Sequence, residues 1–185
     1  MAAGQDRRVR RTRSALLEAF NYLLLNRRRD RIRVSDIVER ANVGRSTFYE
    51  HYGSADDLHM EALSRPFAIL ADAAAGEGDP ERLKHLLDHF WENRQRARAT
   101  FAGRTGEKAV RLLTEMVEAR LWNRQVELAL PRRLAALQLA LAALGPIRGW
   151  VGGEAPCTAA VLAHSICRCC ERMLGALAAE DQRSN

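Results

Sequence analysis

The chain is 185 residues long, with 29 basic and 23 acidic side chains, 47% hydrophobic residues, 12 glycines and only 5 prolines. That length holds one compact domain or two small ones, and a charged content of 28% mixed among leucine and alanine excludes a disordered or low-complexity chain. The longest nearly apolar run, 134–147, contains Gln138 and falls short of the ~20 residues of a membrane span. No membrane partner is therefore expected, and with no secretory signal read at the N-terminus the expected location is the cytoplasm.

Charge is unevenly placed. Residues 1–55 carry 12 arginines against 6 acids, whereas 56–185 carry 17 basic and 17 acidic groups, so the net charge of +6 sits in the first third. A basic end on a neutral body suggests a polyanion met by one part of the chain, nucleic acid being the commonest; a solvated basic face is the plain alternative. All four cysteines, Cys157, Cys167, Cys169 and Cys170, lie near the C-terminus and frame no disulfide scaffold.

In chain order the pattern is helical throughout. Leu16, Phe20, Leu23 and Leu24 form an amphipathic stripe in a first helix over about 10–26, ahead of a polar run to Arg31. A short helix over about 35–41 turns Ile37, Val38 and Ala41 inward, with Ser35 or Asp36 as cap. Asn42, Val43 and Gly44 make a tight turn, in which Asn accepts the left-handed conformation that ends helices, before a second short helix over 45–52. Ser54, Asp56 and Asp57 open a fourth helix that runs to about 75 and bends near Pro66. Asp79 followed by Pro80 is a strong helix start for 80–99. After a loop at 102–106 come helices over 107–130, 131–150 and 157–178, and a fraying tail. The predicted class is all-α with about nine helices, in two domains over 1–54 and 55–185.

Residues 35–52 have the layout of a helix-turn-helix, whose second helix enters the major groove while the first crosses the backbone. That helix must present short polar and basic groups to phosphates and base edges, and Arg45, Ser46, Thr47, Tyr49 and His51 are of that kind. Phe48 and Tyr52 read instead as core of the small unit.

These residues resemble a known family. The stretch VSDIVERANVGRSTFYEHYGSADDL, 34–58, is similar to the DNA-binding signature of TetR-type transcriptional repressors, through Asp36, Ile37, Ala41, Val43, the Thr47-Phe48-Tyr49 run, His51, Tyr52 and Leu58. The resemblance covers residues 10–60, and beyond them only helix count and length fit. It implies that Thr47, Tyr49 and His51 hold phosphates, with Arg45 and Ser46 nearest the base edges. Three positions depart from the family pattern: Asn42 stands for the usual glycine, Arg33 for a threonine that caps the second helix, which moves the expected cap to Ser35, and Ala55 for a phosphate-contacting lysine. Arg7, Arg8, Arg10, Arg11 and Arg13 form an arm that could compensate by reaching phosphates or a minor groove.

The resemblance further implies a homodimer on an inverted-repeat operator of double-stranded DNA, joined by the 131–150 and 157–178 helices, whose wide apolar faces suit packing on a partner. It also implies a small apolar effector in the body, with Phe90, Trp91, Phe101, Met116, Trp122 and Trp150 as candidate lining. No cofactor, metal or catalytic set is expected: His85, Asp88 and His89 lack a further ligand, the cysteines read as small hydrophobes, and no nucleophile with a base stands out. A helical DNA-binding module without small-molecule input is the alternative, and a basic amphipathic protein on acidic membranes a third reading.

Overall fold

The computed structural model describes residues 2–26 and 32–178. Among them run α1 Ala2–Asn26, α2 Val34–Ala41, α3 Arg45–His51, α4 Ala55–Ala74, α5 Pro80–Glu92, α6 Arg94–Thr100, α7 Gly103–Asn123, α8 Arg132–Gly152 and α9 Ala159–Leu177. Class and helix number are those the sequence predicts. The polar run at 27–31 and the tail from 179 lie outside the described residues. Two compact units divide the chain, Met1–Leu63 and Ser64–Asn185, and the division falls inside α4, a turn before Pro66.

The first unit, the head, gathers α1, α2, α3 and the first half of α4 around buried Leu16, Phe20, Leu23, Ile37, Phe48, Tyr52 and Leu58. The α1 stripe read from the sequence faces this core. The α1 helix itself begins well before residue 10, so the arginine arm is helical. His59, half-buried, lies against Phe20, ring centroids 5.3 Å apart, and loss of solvation pushes its pKa below the ordinary 6.5, with Asp56 opposing.

The second unit, the body, is built round α8, whose Ala135, Ala136, Leu139, Ala140, Ala143, Leu144 and Ile147 are buried between α7 and α9, with α5 and α6 also against it. By length and composition alone α8 is apolar enough to cross a membrane. Half of that stretch is buried inside the fold, as in the central helix of a bundle. Asp79 caps α5 as predicted, accepting from the N–H of Glu81 at 2.9 Å ahead of Pro80, and Thr158 caps α9 through the N–H of Val161.

Three expectations about the body need correction. The helix expected over 80–99 is broken at Asn93, whose side-chain amide donates to the His89 carbonyl at 3.0 Å and whose own backbone leaves the helical region; such a side chain competes with the helix ladder. The loop expected at 102–106 is helical from Gly103. Gly106 is there for closeness, because a Cβ on it would stand 2.4 Å from the Phe101 carbonyl oxygen. The helix expected to reach 130 stops at Asn123, where Gln125 adopts φ 52° and the N–H of Val126 donates back to the Leu121 carbonyl at 3.2 Å. The segment after it is held by an isolated bridge between Leu128 and Ala178.

Arg120 fastens α7 to the second half of α4. Its Nε donates to Asp72 Oδ1 at 2.6 Å and its Nη2 to the Ala68 carbonyl at 3.0 Å. Beside it Arg124 pairs with Glu77 at 3.1 Å and donates to the Ala75 carbonyl. Charge-assisted bonds of this kind, partly shielded from water, are the stronger class.

Candidate nucleic-acid interface

The α2–turn–α3 unit follows from local chemistry. The N-cap of α2 is Arg33, which corrects the expected Ser35 or Asp36; Asp36 reaches back from within the helix to accept from the Arg33 N–H at 3.1 Å, the return half of a capping box. At the other end Asn42 sits at φ 53° and ψ 48°. Its N–H donates to the Glu39 carbonyl and that of Val43 to the Val38 carbonyl, at 3.2 and 3.0 Å, a Schellman closure with Asn in the glycine position. Val43, half-buried, packs on the head core and Gly44 returns the chain to extended backbone before α3.

On α3 the side chains divide by the helical period. Phe48 is fully buried and meets Tyr52 at 5.7 Å between ring centroids, so both belong to the core as the sequence predicts. Arg45, Ser46 and Tyr49 are exposed, Tyr49 at 52% with its ring edge-on to Phe48. Thr47 and His51, one turn apart, are half-buried along the flank. The five candidate residues thus share one short helix, three on its exposed side and two beside them.

Two features were missed in reading the sequence. Glu50 is exposed on the same helix and is an acceptor only, a group that repels phosphate and suits the amino group of cytosine; the helical period alone could have found it. The other is Arg40, whose guanidinium lies 3.7 Å from the centre of the Tyr22 ring, a cation–π contact between α2 and α1. The arm divides too: Arg7, Arg8 and Arg11 are exposed, while Arg13 is paired with Glu61 of α4.

The six aromatic and methionine residues proposed as a pocket lining are not gathered at one place. Phe90 and Phe101 are buried against each other, centroids 5.7 Å apart, with Phe67 stacked on Phe101. Trp150 is buried, donates from its indole to the Cys157 carbonyl at 3.0 Å and stacks on Trp91, itself 40% exposed beneath Arg94. Trp122 is 67% exposed, covered on one face by Arg132, in an open groove with Val126, Leu128 and Leu130. Met116 is half-buried on α7.

The faces expected to pair leave Leu134 and Leu141 of α8 and Val161 and Cys169 of α9 exposed, whereas Leu144, Leu162 and Ile166 of the same helices are buried within the chain. Cys167 and Cys170 are buried and burial raises both thiol pKa values, that of Cys170 to about 12. Among the described residues no group of histidine, cysteine and carboxylate side chains is arranged to hold a metal.

No family model matches the chain. An uncharacterized HTH-type transcriptional regulator of Bacillus subtilis, YxbF, is 40% identical over 68 residues; the match spans 36% of this chain and 18% of that protein. Among solved structures, a TetR transcriptional regulator from Streptococcus agalactiae is 28% identical with a TM-score of 0.53, over 93% of this chain and 100% of the other. The TetR family repressor AlkX from a Dietzia species shares the fold at a TM-score of 0.60 and 20% identity, over 89% and 96% of the two chains. With the turn geometry of α2 and α3 and the signature at 34–58, the likeness to the Streptococcus agalactiae structure along nearly the whole length makes this chain similar to transcriptional regulators of the TetR type.

Proposed function

We propose that the chain binds the major groove of double-stranded DNA through α3, as a homodimer, on an operator with dyad symmetry, and that it works in the cytoplasm as a repressor. The observation that carries the reading is α3 itself: Arg45, Ser46 and Tyr49 exposed, Thr47 and His51 on the flank, and Phe48 with Tyr52 fixing the helix to the core from behind. Arg45 and Ser46 are the assigned base readers; Thr47, Tyr49 and His51 are the phosphate contacts. The domain assignment that goes with it is a DNA-binding head over 1–54 and an effector-binding and dimerisation body over 55–185. Exposed Leu134, Leu141 and Val161 supply the apolar part of the dimer face on α8 and α9.

Selection of bound duplexes from a random pool by the full chain tests this. The expected consensus has two half-sites about one helical turn apart or slightly more, roughly 34 to 36 Å, and Arg45→Ala relaxes its base preference. If each subunit neutralises about 3 or 4 phosphates, log affinity falls against log salt with a slope of roughly −5 to −7. A consensus without a dyad, or one unchanged by Arg45→Ala, overturns the assignment.

A small apolar effector is the remaining part of the proposal, supported by the family resemblance and by the large apolar groups of α5 to α8. Dispersal of the six candidate lining residues over several places favours the alternative, a DNA-binding module without small-molecule input. Thermal-shift screening of apolar metabolites, followed by a DNA-release assay on each hit, decides between them: stabilisation with release supports the effector, and stabilisation by none supports the module.

A further inference from the structure

The end of α3 lies against an ion pair between α1 and α4. Tyr52 is its C-cap, leaves the helix in extended backbone, and donates its N–H to the Phe48 carbonyl at 2.9 Å. Its ring is buried, and its Oη is shielded from solvent without a hydrogen bond of ordinary geometry. Against that phenol lie Arg13 of α1 and Glu61 of α4, joined at 2.5 Å, with the Arg13 guanidinium 5.7 Å from the centre of the Tyr52 ring. Burial, and after it the Glu61 carboxylate, holds the phenol neutral by raising its pKa to about 12. Three helices therefore meet at one phenol.

We propose that the Arg13–Glu61 pair is a clasp over Tyr52 that positions the C-terminal end of α3, and so orients Tyr49 and His51 for DNA without itself touching it. This rests on the DNA-binding reading for its consequence. His51 precedes the clasped residue, its ring 6.5 Å from that of Tyr52, and Tyr49 lies within the same turn. Arg13 is thus a positioning residue and not a member of the phosphate-reaching arm.

The two roles separate by charge reversal in the full chain. Hydrogen exchange in the free protein at the amides of Phe48 and Tyr52 reads the clasp directly, and affinity for a duplex selected by the wild-type chain reads its consequence. Arg13→Ala is expected to speed exchange about threefold, the scale of a partly exposed ion pair. Affinity falls by about threefold per subunit, about tenfold for a dimer on one duplex, with the salt slope unchanged. Arg13→Glu combined with Glu61→Arg restores both. If the reversed pair fails to restore affinity and the salt slope drops by about 1 per subunit, Arg13 is a phosphate contact and the clasp is wrong. Unchanged exchange in Arg13→Ala also overturns it. Should the wild-type chain select no duplex, the DNA reading fails while exchange still decides the clasp.

Discussion

Head and body of this chain reach stability by different means. In the head, short helices are specified residue by residue: Asp36 returns to the Arg33 N–H, Asn42 closes α2, and Phe48 and Tyr52 carry α3 onto a small core. In the body, long helices with few local signals are fixed by what they meet, such as Arg120 on Asp72 and Gly106 against Phe101. A helix of seven residues has little stability of its own. On α3 the one fully buried side chain, Phe48, therefore carries the anchoring, whereas a helix of twenty spreads it over more positions.

The sharpest way to break the comparison is at adjacent residues of α3. Phe48→Ala removes a fully buried ring and is expected to cost about 3–5 kcal/mol, enough to unfold a small head in a denaturant titration read by far-UV circular dichroism. Tyr49→Phe, next along the chain and 52% exposed, should leave the unfolding midpoint in place and weaken binding to all duplexes alike. A shared stability loss for both would mean that α3 is not divided into anchor and surface.

In the body the corresponding contrast is between glycines. Gly106→Ala forces a Cβ toward a backbone oxygen that cannot step aside, at a cost of about 1–3 kcal/mol. Gly175→Ala on α9, exposed and with no neighbour outside its own stretch of helix within 4 Å, should stabilise by about 0.5–1 kcal/mol through helix propensity. Thermal melts of the two variants should move in opposite directions; melts shifted the same way would remove Gly106 from the packing argument.

Asp72→Asn tests the α4–α7 tie. With both side chains partly shielded, loss of the charged acceptor is expected to cost about 1–2 kcal/mol, readable as a lower unfolding midpoint that Arg120→Met in the same chain partly recovers. No recovery would leave the tie without its assigned role.

The smallest effect is that of pH on the head. His59 is half-buried and the loss of solvation puts its pKa below the ordinary 6.5. Well above that value it is neutral in both folded and unfolded chains and imposes no penalty. As pH falls below it the unfolded chain takes up the proton first, so stability declines. His59→Gln should flatten this decline between neutral and mildly acid pH, and an equally steep profile in the variant would assign it to other groups.

How much of this was legible depended on range. The α2–turn–α3 unit, the start of α5 at Asp79–Pro80 and the burial of Phe48 and Tyr52 were read correctly, because caps, turns and helical stripes are interactions within about one turn of chain. The break at Asn93 is local too, yet it went unread, since an asparagine in the midst of a helical pattern is as compatible with an exposed position as with a cap.

What the sequence by itself determined is the class, the helices of the head and the side of α3 that turns outward. What only the tertiary structure decided is the fate of groups whose partners are far along the chain. Arg13, one of five arginines in a run, is taken by Glu61, 48 residues away; of two tryptophans on adjoining helices, Trp122 is left exposed and Trp150 enclosed; and Gly106 serves packing and not a loop. Periodicity states that a side chain faces inward or outward on its own helix. Only the docking of helices states whether another helix is there to meet it.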